Sequence, residues 1–453
     1  MSQKGERGAK SYKIRSNKMK IRKHLSADGL FKVIGKGFGR IKEHRTGKVT
    51  IPLVDALLSG FALFSLKDPS LLEFDKRRAE DAANLKTIYG IARIPSDTST
   101  REILDDVDPE ALRPLFKQVF NELQRGKELE KYRYLGRYYV LTLDGTGYFS
   151  SKSISCDNCL EKHLKNGEVL YHHQMLGAAI VHPAYAAVIP LMPEPIIKQD
   201  GEEKNDCERN AAKRFFEKLR KDHPRLPLII TEDGLSSNAP HIRELKRHKL
   251  RFILGAQESD HTYLFARVRE AQADGRTTFY EVAESGITQR FHFVNKLPLN
   301  ASNPDVLVNF LEYWEIGPDE TKYFSWVTDF TIMPFNCDAI MCAGRVRWKA
   351  ENETFNTLKN QGYHFEHNFG HGLNNLSVIF ALLMMLAFLV DQAQQIACPL
   401  FQAAWAKAGT KSHLWKKIRE LFGTIPFQNM QTLLRAYFHG YRVDRITIFY
   451  DSE

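Results

Sequence analysis

Apolar and polar positions along the chain change their period near residue 137, which separates a helical part from a strand-rich part. Between residues 51 and 66 apolar side chains recur at intervals of three and four, as on one face of an amphipathic helix. Residues 97–102 place Ser and Thr before an acid, a pattern typical of a helix start. We therefore predict a small helical domain over residues 51–136.

Beyond residue 137, short runs of β-forming residues come before and between helical patterns. The predicted strands cover residues 138–143, 169–181, 186–191, 228–231 and 251–254, and the predicted helices cover residues 204–221 and 241–248. Three strands followed by helix, strand and helix is the order expected of an RNase H-like α/β sheet. We therefore expect the first part of such a core over residues 137–256.

The remaining sequence interrupts this core and then completes it. Residues 257–322 alternate polar and aromatic positions between turn residues, which predicts a mostly β insertion. We expect the core to resume over residues 323–400 and a short helical region to follow over residues 401–453. The apolar run 376–390 is shorter than the ~20 residues that a membrane-spanning helix needs. It is therefore predicted to be a buried helix, and no membrane association is expected.

Positive charge is concentrated at the N-terminus. Residues 1–50 contain 15 Lys and Arg against 3 Asp and Glu, while the whole chain has a net charge of +10, so the rest is nearly neutral. We interpret residues 1–50 as a basic arm, in which Lys20, Arg22 and Lys23 are candidates to contact a nucleic-acid backbone, because Lys and Arg displace its counterions. The alternative is a solvated tail without a partner.

Cysteine usage indicates a reducing compartment. Six cysteines in 453 residues do not make a disulfide framework. The N-terminus is too polar for a secretory signal peptide. We therefore expect an intracellular protein.

One pair of cysteines has the spacing of zinc ligands. Cys156 and Cys159 are separated by two residues, and His163 follows, with His172 and His173 on the next predicted strand. Two thiolates, His163 and one later histidine could complete a tetrahedral zinc site. The alternative is two free thiols in a surface loop.

A second histidine cluster lies near residue 370. His367 and His371 have the i, i+4 spacing that can bind a metal on a helix. The glutamate of a His-Glu-x-x-His motif is absent, which excludes the metalloprotease of that type.

Two aspartates share a sequence context. Asp144 and Asp233 each follow a short hydrophobic strand and each precede a glycine. Side chains at the carboxyl ends of neighbouring strands converge on one edge of an α/β sheet. Two carboxylates there repel each other unless a cation lies between them, and Mg²⁺ or Mn²⁺ suits such oxygen ligands. The alternative is that both Asp-Gly pairs are ordinary turns.

Glu351 is the candidate for a third acid. It follows the predicted insertion on a segment of helical pattern, where Arg347 lies four residues earlier on the same face. On a helix that crosses the sheet edge, Glu351 could complete the metal site while Arg347 balances its charge or reaches a phosphate. The alternative is a surface ion pair of little energetic value.

Three segments around these acids resemble the acidic motifs of bacterial insertion-sequence transposases of the DDE type, over about residues 137–375. The segments are Leu143-Asp144-Gly145-Thr146, Thr231-Glu232-Asp233-Gly234 and Arg347-Trp348-Lys349-Ala350-Glu351-Asn352. The group it resembles has a β-rich insertion before the glutamate and a Tyr-x2-Arg-x3-Glu-x6-Lys signature. Here the tyrosine position is Gly344 and the lysine position is Leu358, with Lys359 directly after it. Lys359 is therefore the candidate for the phosphate contact.

The resemblance implies a metal-dependent cut-and-paste reaction. Asp144, Asp233 and Glu351 would bind Mg²⁺ or Mn²⁺, and the enzyme would cleave double-stranded DNA at terminal inverted repeats and join the ends to target DNA. It further implies a homodimer in the DNA complex, repeat binding by the N-terminal helical domain, and a location in the bacterial cytoplasm at the nucleoid. Trp314 and Trp326 are candidates to stack on an extruded base; the alternative is that both belong to the core.

Two other functions remain open from the sequence. The chain could be a non-catalytic or domesticated DNA-binding derivative of such an enzyme. It could also be a metal-dependent nuclease that hydrolyses DNA without joining it.

Overall fold

The computed structural model describes residues 22–80, 82–198, 206–284 and 286–441, which form a large mixed β-sheet with helices packed against it. The strands are β1 (Tyr139–Ser151), β2 (Leu160–His163), β3 (Val169–His182), β4 (Tyr185–Pro190), β5 (Glu194–Ile196), β6 (Leu228–Glu232), β7 (Arg251–Gly255), β8 (Thr278–Glu284), β9 (Ile287–Asn300), β10 (Asn303–Ile316) and β11 (Thr321–Thr328). The α-helices are α1 (Ala27–Phe38), α2 (Leu53–Leu66), α3 (Leu71–Glu80), α4 (Ala82–Tyr89), α5 (Asp97–Asp105), α6 (Arg113–Arg125), α7 (Glu208–Asp222), α8 (Ala239–Arg247), α9 (Thr262–Ala273), α10 (Cys337–Arg345), α11 (Asn356–Asn360), α12 (Leu376–Ala397), α13 (Pro399–Ala408), α14 (Lys411–Thr424) and α15 (Met430–His439). Single turns of 3₁₀ helix cover Lys23–Leu25, Pro109–Leu112, Leu129–Tyr132 and Gly234–Ser236, and a π-helix covers Ala350–Phe355.

The strands lie in the order β2-β3-β1-β6-β7-β11-β10-β9-β8, and β4 and β5 also pair with β3. β3 is antiparallel to β1, whereas β6 is parallel to β1 and β7 is parallel to β6. Parallel neighbours need a crossover connection, and here α7 precedes β6 and α8 joins β6 to β7. The five strands predicted from the sequence correspond to β1, β3, β4, β6 and β7 and are confirmed. The short strands β2 and β5 were not predicted.

β1 extends further than its sequence indicates. The predicted strand ends at residue 143, but β1 continues through the following Asp-Gly-Thr-Gly segment to Ser151. Pairing with β3 sustains the strand, since Asp144 lies opposite Gly177 and the pairing continues to Ser151 opposite Tyr171. On its other side β1 pairs with β6 only as far as Thr142. Asp144 therefore lies on a strand held from one side, where the sheet opens beyond the end of β6.

Hydrophobic burial explains why β6 is the centre of this part of the sheet. All five of its residues are buried, as expected for a parallel strand covered on both faces. The amphipathic helix α7 buries Ala211, Phe215 and Phe216 against the sheet and leaves its charged residues outside. This packing fixes the carboxyl end of β6, from which Asp233 follows.

The predicted β insertion is an extension of the same sheet. β8, β9, β10 and β11 form an antiparallel meander, and β11 pairs with β7 through Val327 opposite Leu254. The region also contains the helix α9, which packs on β9. The prediction of a mostly β segment is thus confirmed, and α9 near its beginning was not predicted.

The helices before and after the sheet form one body around α12. Helix α12 packs against α2, α5, α6 and β4. Helix α1 lies within the predicted basic arm, and it buries Leu30, Phe31, Ile34 and Phe38. Ser26 caps α1 by accepting a hydrogen bond from the Gly29 N–H. The arm prediction is therefore wrong for residues 27–38, which belong to the core.

Helix α12 is the longest helix of the described residues and is strongly apolar. It runs for 22 residues with a mean hydropathy of 2.2 over its apolar window, so its length and composition alone would suit a membrane. That window is entirely buried inside the protein. The prediction of a buried helix is confirmed, and the helix extends beyond residue 390 to Ala397.

A buried ion pair joins this helical body together. The Lys67 ammonium at the end of α2 pairs with Asp391 on α12, and the Lys67 side chain is fully buried. The Tyr363 hydroxyl donates a hydrogen bond to the same carboxylate at 2.5 Å. The ammonium also lies 3.8 Å from the centre of the Trp415 ring. Because both charges are shielded from water, each depends on the other and on these contacts.

Candidate active site

Asp144 on β1 and Asp233 directly after β6 occupy equivalent places relative to two neighbouring parallel strands. In the pairing of β1 with β6, Thr142 lies opposite Thr231, and each aspartate comes two residues later. Because side chains alternate along strands, both lie on the same face as these threonines. The two aspartates line one cleft of about 500 Å³.

The pKa of the Asp144 carboxyl is influenced by the charged groups predicted to share its site. Burial raises the pKa of the Asp144 carboxyl, the Arg347 guanidinium lowers it, and the charges of Asp233 and Glu351 raise it. The net result is a pKa above the usual value for aspartate. The two predicted partner acids and the predicted arginine therefore all act on this one carboxyl.

Glu351 is carried by the π-helix that packs over β1, β3 and β4. The Phe355 ring at the end of this helix lies against Gly177, the residue paired with Asp144. A Cβ atom at Gly177 would be 2.4 Å from the Phe355 ring, so only glycine permits this approach. Phe355 is one helical turn beyond Glu351, and its packing brings the glutamate to the edge at Asp144.

Lys349 fixes the beginning of the same π-helix. Its side-chain nitrogen donates hydrogen bonds to the carbonyl oxygens of His182, Pro183 and Tyr185 at 2.7, 3.1 and 2.5 Å. These carbonyls belong to the turn between β3 and β4. The lysine of the Arg-Trp-Lys-Ala-Glu-Asn segment therefore connects the helix of Glu351 to the sheet.

The helical geometry near Glu351 differs from the prediction. An α-helical face shared by Arg347 and Glu351 was expected, but Arg347 lies in a turn and Glu351 lies in the π-helix. A π-helix has one more residue per hydrogen-bonded ring and rotates side chains relative to an α-helix. The charge of Glu353 acts on Lys349 and Lys411. Glu351 is thus the glutamate of this helix whose charge is among the main influences on Asp144.

Glu208 is a further acid of the cleft that sequence reasoning missed. It begins α7, and a Cβ atom at Gly145 would be 1.9 Å from its Oε1 atom, so its carboxylate lies against β1. Partial desolvation and then the charges of Asp144 and Asp233 raise the pKa of Glu208. Glu208 is distant in sequence from both aspartates, and no spacing signals this contact.

The cleft as a whole is acidic. Asp206 and Glu232 are neutralised by Arg214 at 2.6 Å and by His241 at 2.5 Å. Within the described ranges no Lys, Arg or His nitrogen lies within 4.0 Å of the carboxylates of Asp144, Glu208, Asp233 or Glu351. Carboxylates that are not engaged in ion pairs are the hard oxygen donors that Mg²⁺ and Mn²⁺ prefer, so this donor set fits such an ion.

The carboxylates of the cleft are farther apart than the ligand atoms of a closed metal site. Among the described residues, the group whose ligand atoms all lie within 4.8 Å of one another consists of Cys156, Cys159, His173 and His371. Asp144, Asp233 and Glu351 do not form such a group.

The structure separates Cys156 and Cys159 from His163. His173 on β3 and His371, which precedes α12, lie beside the two cysteines. The His163 side chain is 77% exposed and lies 3.9 Å from Glu161. His173, one of the later histidines predicted as candidates, thus lies in the cluster, and His371 takes the place predicted for His163.

The candidate base-stacking tryptophans differ in exposure. Trp326 is only 5% exposed and stacks on Phe324 with ring centres 5.8 Å apart. A Cβ atom at Gly344 would be 2.4 Å from the Trp326 indole nitrogen, so the glycine at the signature's tyrosine position makes room for this ring. Trp326 is therefore a core residue, contrary to the base-stacking hypothesis. Trp314 is half-buried beside Tyr323 and keeps an accessible surface.

Among the predicted DNA-contacting basic residues, Lys359 and Arg22 have partners within the protein. Leu358 is fully buried, whereas Lys359 pairs with Glu366 at 2.8 Å. Arg22 pairs with Glu128 at 2.7 Å. Lys23 is exposed, and Lys20 lies outside the described residues.

Comparisons with protein-family models and with curated proteins give no match. Among solved structures, the chain is similar to a cryo-EM structure of the piggyBac transposase synaptic complex with hairpin DNA, at 12% sequence identity and a TM-score of 0.38. This similarity covers 92% of this chain and 80% of that chain. A TM-score at this level assigns neither family nor function, and the proposal for function therefore rests on the geometry of the cleft.

Proposed function

We propose that the chain is a DDE transposase, a metal-dependent enzyme that cleaves DNA at terminal inverted repeats and joins the ends to target DNA. The observation that carries the proposal is the convergence of Asp144, Asp233 and Glu351. They come from β1, from the end of β6 and from the π-helix beyond the insertion, and the charges of the last two act on the first. Because these acids are far apart in the sequence, it is the fold that brings them to one site.

The sheet supports an RNase H-like core as the scaffold of this site. Strands β1, β3 and β4 form an antiparallel unit, after which α7, β6, α8 and β7 follow in chain order. β6 and β7 add to the sheet in parallel beside β1. This is the succession of elements on which the RNase H-like prediction was based.

Electrostatics of the cleft support a dependence on divalent cations. A phosphodiester carries a negative charge and is repelled by the carboxylates of Asp144, Glu208 and Asp233. When Mg²⁺ or Mn²⁺ is bound, it supplies positive charge at the reacting phosphate and lowers the pKa of bound water. Asp144, Asp233 and Glu351 would hold such ions, and Glu208 is the additional candidate.

Arg347 gives the acidic cleft a positive side chain near Asp144. It lowers the pKa of Asp144, which favours the ionised carboxylate that a metal ion requires. The same guanidinium suits contact with a phosphate oxygen. We assign Arg347 a positioning role for the DNA strand at the cleft.

The proposed chemistry consists of two balanced phosphoryl-transfer steps. In cleavage, a water oxygen bonds to phosphorus and the bond from phosphorus to the 3′-oxygen breaks, which leaves a 3′-hydroxyl and a 5′-phosphate. In joining, that 3′-hydroxyl bonds to a phosphorus of the target DNA, whose own 3′-oxygen leaves with a proton. The substrates proposed are the two inverted repeats and target DNA. A homodimer would present one cleft to each end.

The direct experiment uses DNA that carries the inverted repeats flanking the gene of this chain, incubated with the full chain and Mg²⁺ or Mn²⁺. Site-specific cuts with 3′-hydroxyl ends and joined products are expected, and Asp144→Asn and Asp233→Asn should lose both. Degradation without sequence preference would favour a metal-dependent nuclease instead. Binding without cutting would favour a non-catalytic DNA-binding derivative.

A further inference from the structure

Four soft or borderline metal donors meet away from the acidic cleft. Cys156 and Cys159 lie in the connection from β1 to β2, His173 lies on β3, and His371 lies in the connection from α11 to α12. Three of the four residues are buried, with His173 fully shielded and Cys159 1% exposed. Thiols and imidazoles from three separate segments are thus brought within 4.8 Å of one another, which is the arrangement that a metal ion requires.

The distances within this cluster match those of a tetrahedral zinc site. Zinc bonds of about 2.3 Å to sulfur and 2.0–2.1 Å to nitrogen place two sulfurs about 3.8 Å apart, and sulfur and nitrogen about 3.5 Å apart. The Sγ atoms of Cys156 and Cys159 are 3.9 Å apart, and each lies 3.5 Å from the His173 Nε2 atom. The His371 Nε2 atom lies 3.4 Å from the Cys159 Sγ atom.

The surroundings direct both imidazoles towards the sulfurs. The His173 ring stacks on Tyr148 with ring centres 5.9 Å apart, and the His371 ring lies 4.3 Å from the Phe149 ring centre. The Nδ1 atoms of both histidines are buried without a hydrogen-bond partner in the described chain. Packing therefore sets the rings, and Nε2 is the nitrogen that each ring presents to the sulfurs.

Donor chemistry selects among the possible ions. Two thiols and two imidazoles without a carboxylate suit zinc, whereas Mg²⁺ and Mn²⁺ favour oxygen ligands. A disulfide between Cys156 and Cys159 would need a sulfur–sulfur distance of about 2.05 Å, far below the observed separation. The cluster is thus chemically distinct from the acidic cleft.

We infer that Cys156, Cys159, His173 and His371 bind one zinc ion that connects the sheet to the segment following the helix of Glu351. The site tethers residues 361–375 to β3 and to the β1–β2 connection. A hydrogen bond from the Asn158 amide to the Asn374 carbonyl at 2.8 Å joins the same two segments. This role goes beyond the proposed function, because it holds whether or not the chain cleaves DNA.

Metal analysis of the purified full chain tests the inference. About one zinc per chain is expected, and Cys156→Ser and His371→Asn should each lose it. Cys207→Ser and His163→Asn are the matched controls and should retain it, since Cys207 and His163 are exposed and lie outside the cluster. Retention of zinc by His371→Asn would overturn the assignment, as would a purified chain without zinc whose two thiols are free or joined in a disulfide.

Cobalt substitution keeps the test decisive if a variant does not fold. The unaltered chain, freed of zinc with a chelator, should take up one Co²⁺ with the visible bands of tetrahedral coordination and a thiolate charge-transfer band. Hydrogen exchange of residues 361–375 should become faster after chelation and slow again when zinc is restored. Octahedral cobalt spectra or unchanged exchange would contradict the proposed connection.

Discussion

At the scale of single residues, chemical identity matters most where charge is buried. Lys67 and Asp391 are charged residues in the protein interior. Burial lowers the pKa of Lys67 and raises the pKa of Asp391. Each charge counteracts this effect in the other. Their pairing therefore holds α2 and α12 together only while both residues are present.

Removing one partner tests this interdependence. Lys67→Met should lower the free energy of unfolding by about 3–5 kcal/mol, because Asp391 then stays buried without a counter-charge. The double variant Lys67→Met with Asp391→Asn should be more stable than Lys67→Met alone. Urea unfolding of the three proteins measures the difference. A double variant less stable than the single one would contradict the pairing.

Glu43 provides a prediction for pH. A hydrogen bond from Arg45 is the main reason that the pKa of Glu43 falls to about 2, and the same carboxylate accepts from the Leu53 N–H at 2.9 Å. For an acid with a lowered pKa in the folded state, its stabilisation is present above the unfolded value and is lost as pH falls towards the folded one. Glu43→Gln should therefore cost about 1 kcal/mol at pH 7, as for a partly exposed pair. The cost should vanish near pH 2, and denaturant titrations at the two pH values measure it.

At the scale of elements, local patterns predict strands and helices better than they predict contacts between them. The strands β6 and β7 have apolar runs that indicate them directly. The extension of β1 past Asp144 depends on β3, and the burial of Trp326 depends on Gly344, so neither is visible in a local pattern. The same holds for Glu208 and for His371 of the cysteine cluster, which approach their partners only in the folded chain, whereas His173 was a candidate from the sequence.

The connection of the π-helix to the β3–β4 turn makes Lys349 a positioning residue. Lys349→Met should remove three hydrogen bonds and displace Glu351, with a loss of about 10–100-fold in Mn²⁺ affinity, as for groups that orient metal ligands. Calorimetric titration with Mn²⁺ measures this independently of DNA cleavage. Lys407→Met is a comparison variant, since Lys407 also donates to backbone carbonyls, those of Tyr437 and Phe438. Equal Mn²⁺ affinity in the two variants would refute the positioning role.

At the scale of the whole molecule, the two ends of the parallel strands differ in charge. The cleft at the carboxyl ends is acidic, whereas a cleft of about 800 Å³ at the amino ends of β1, β6 and β7 is lined mainly by basic residues. Arg137, Arg225 and Lys246 are exposed there. Under the proposed function, this basic face suits the DNA backbone beyond the site of cleavage.

The salt dependence of DNA binding tests whether the basic face contacts the DNA backbone. Replacing Arg137, Arg225 and Lys246 with Gln should reduce the slope of log affinity against log salt by about 0.9 for each phosphate contact that is lost. Lys416→Gln, an exposed change on α14, should leave the slope unaltered. If the triple variant has the slope of the unaltered chain, the basic face does not bind DNA.

The central claim is that Glu351 acts together with Asp144 and Asp233, and its neighbour Glu353 offers the closest control. Both glutamates belong to the same π-helix, but the charge of Glu351 acts on Asp144, whereas that of Glu353 acts on Lys349 and Lys411. The decisive measurement is the joining of inverted-repeat DNA to target DNA in Mg²⁺ by Glu351→Gln and Glu353→Gln. We predict that Glu351→Gln forms no joined product and that Glu353→Gln joins DNA like the unaltered chain. Joining by Glu351→Gln at the unaltered rate would contradict the account.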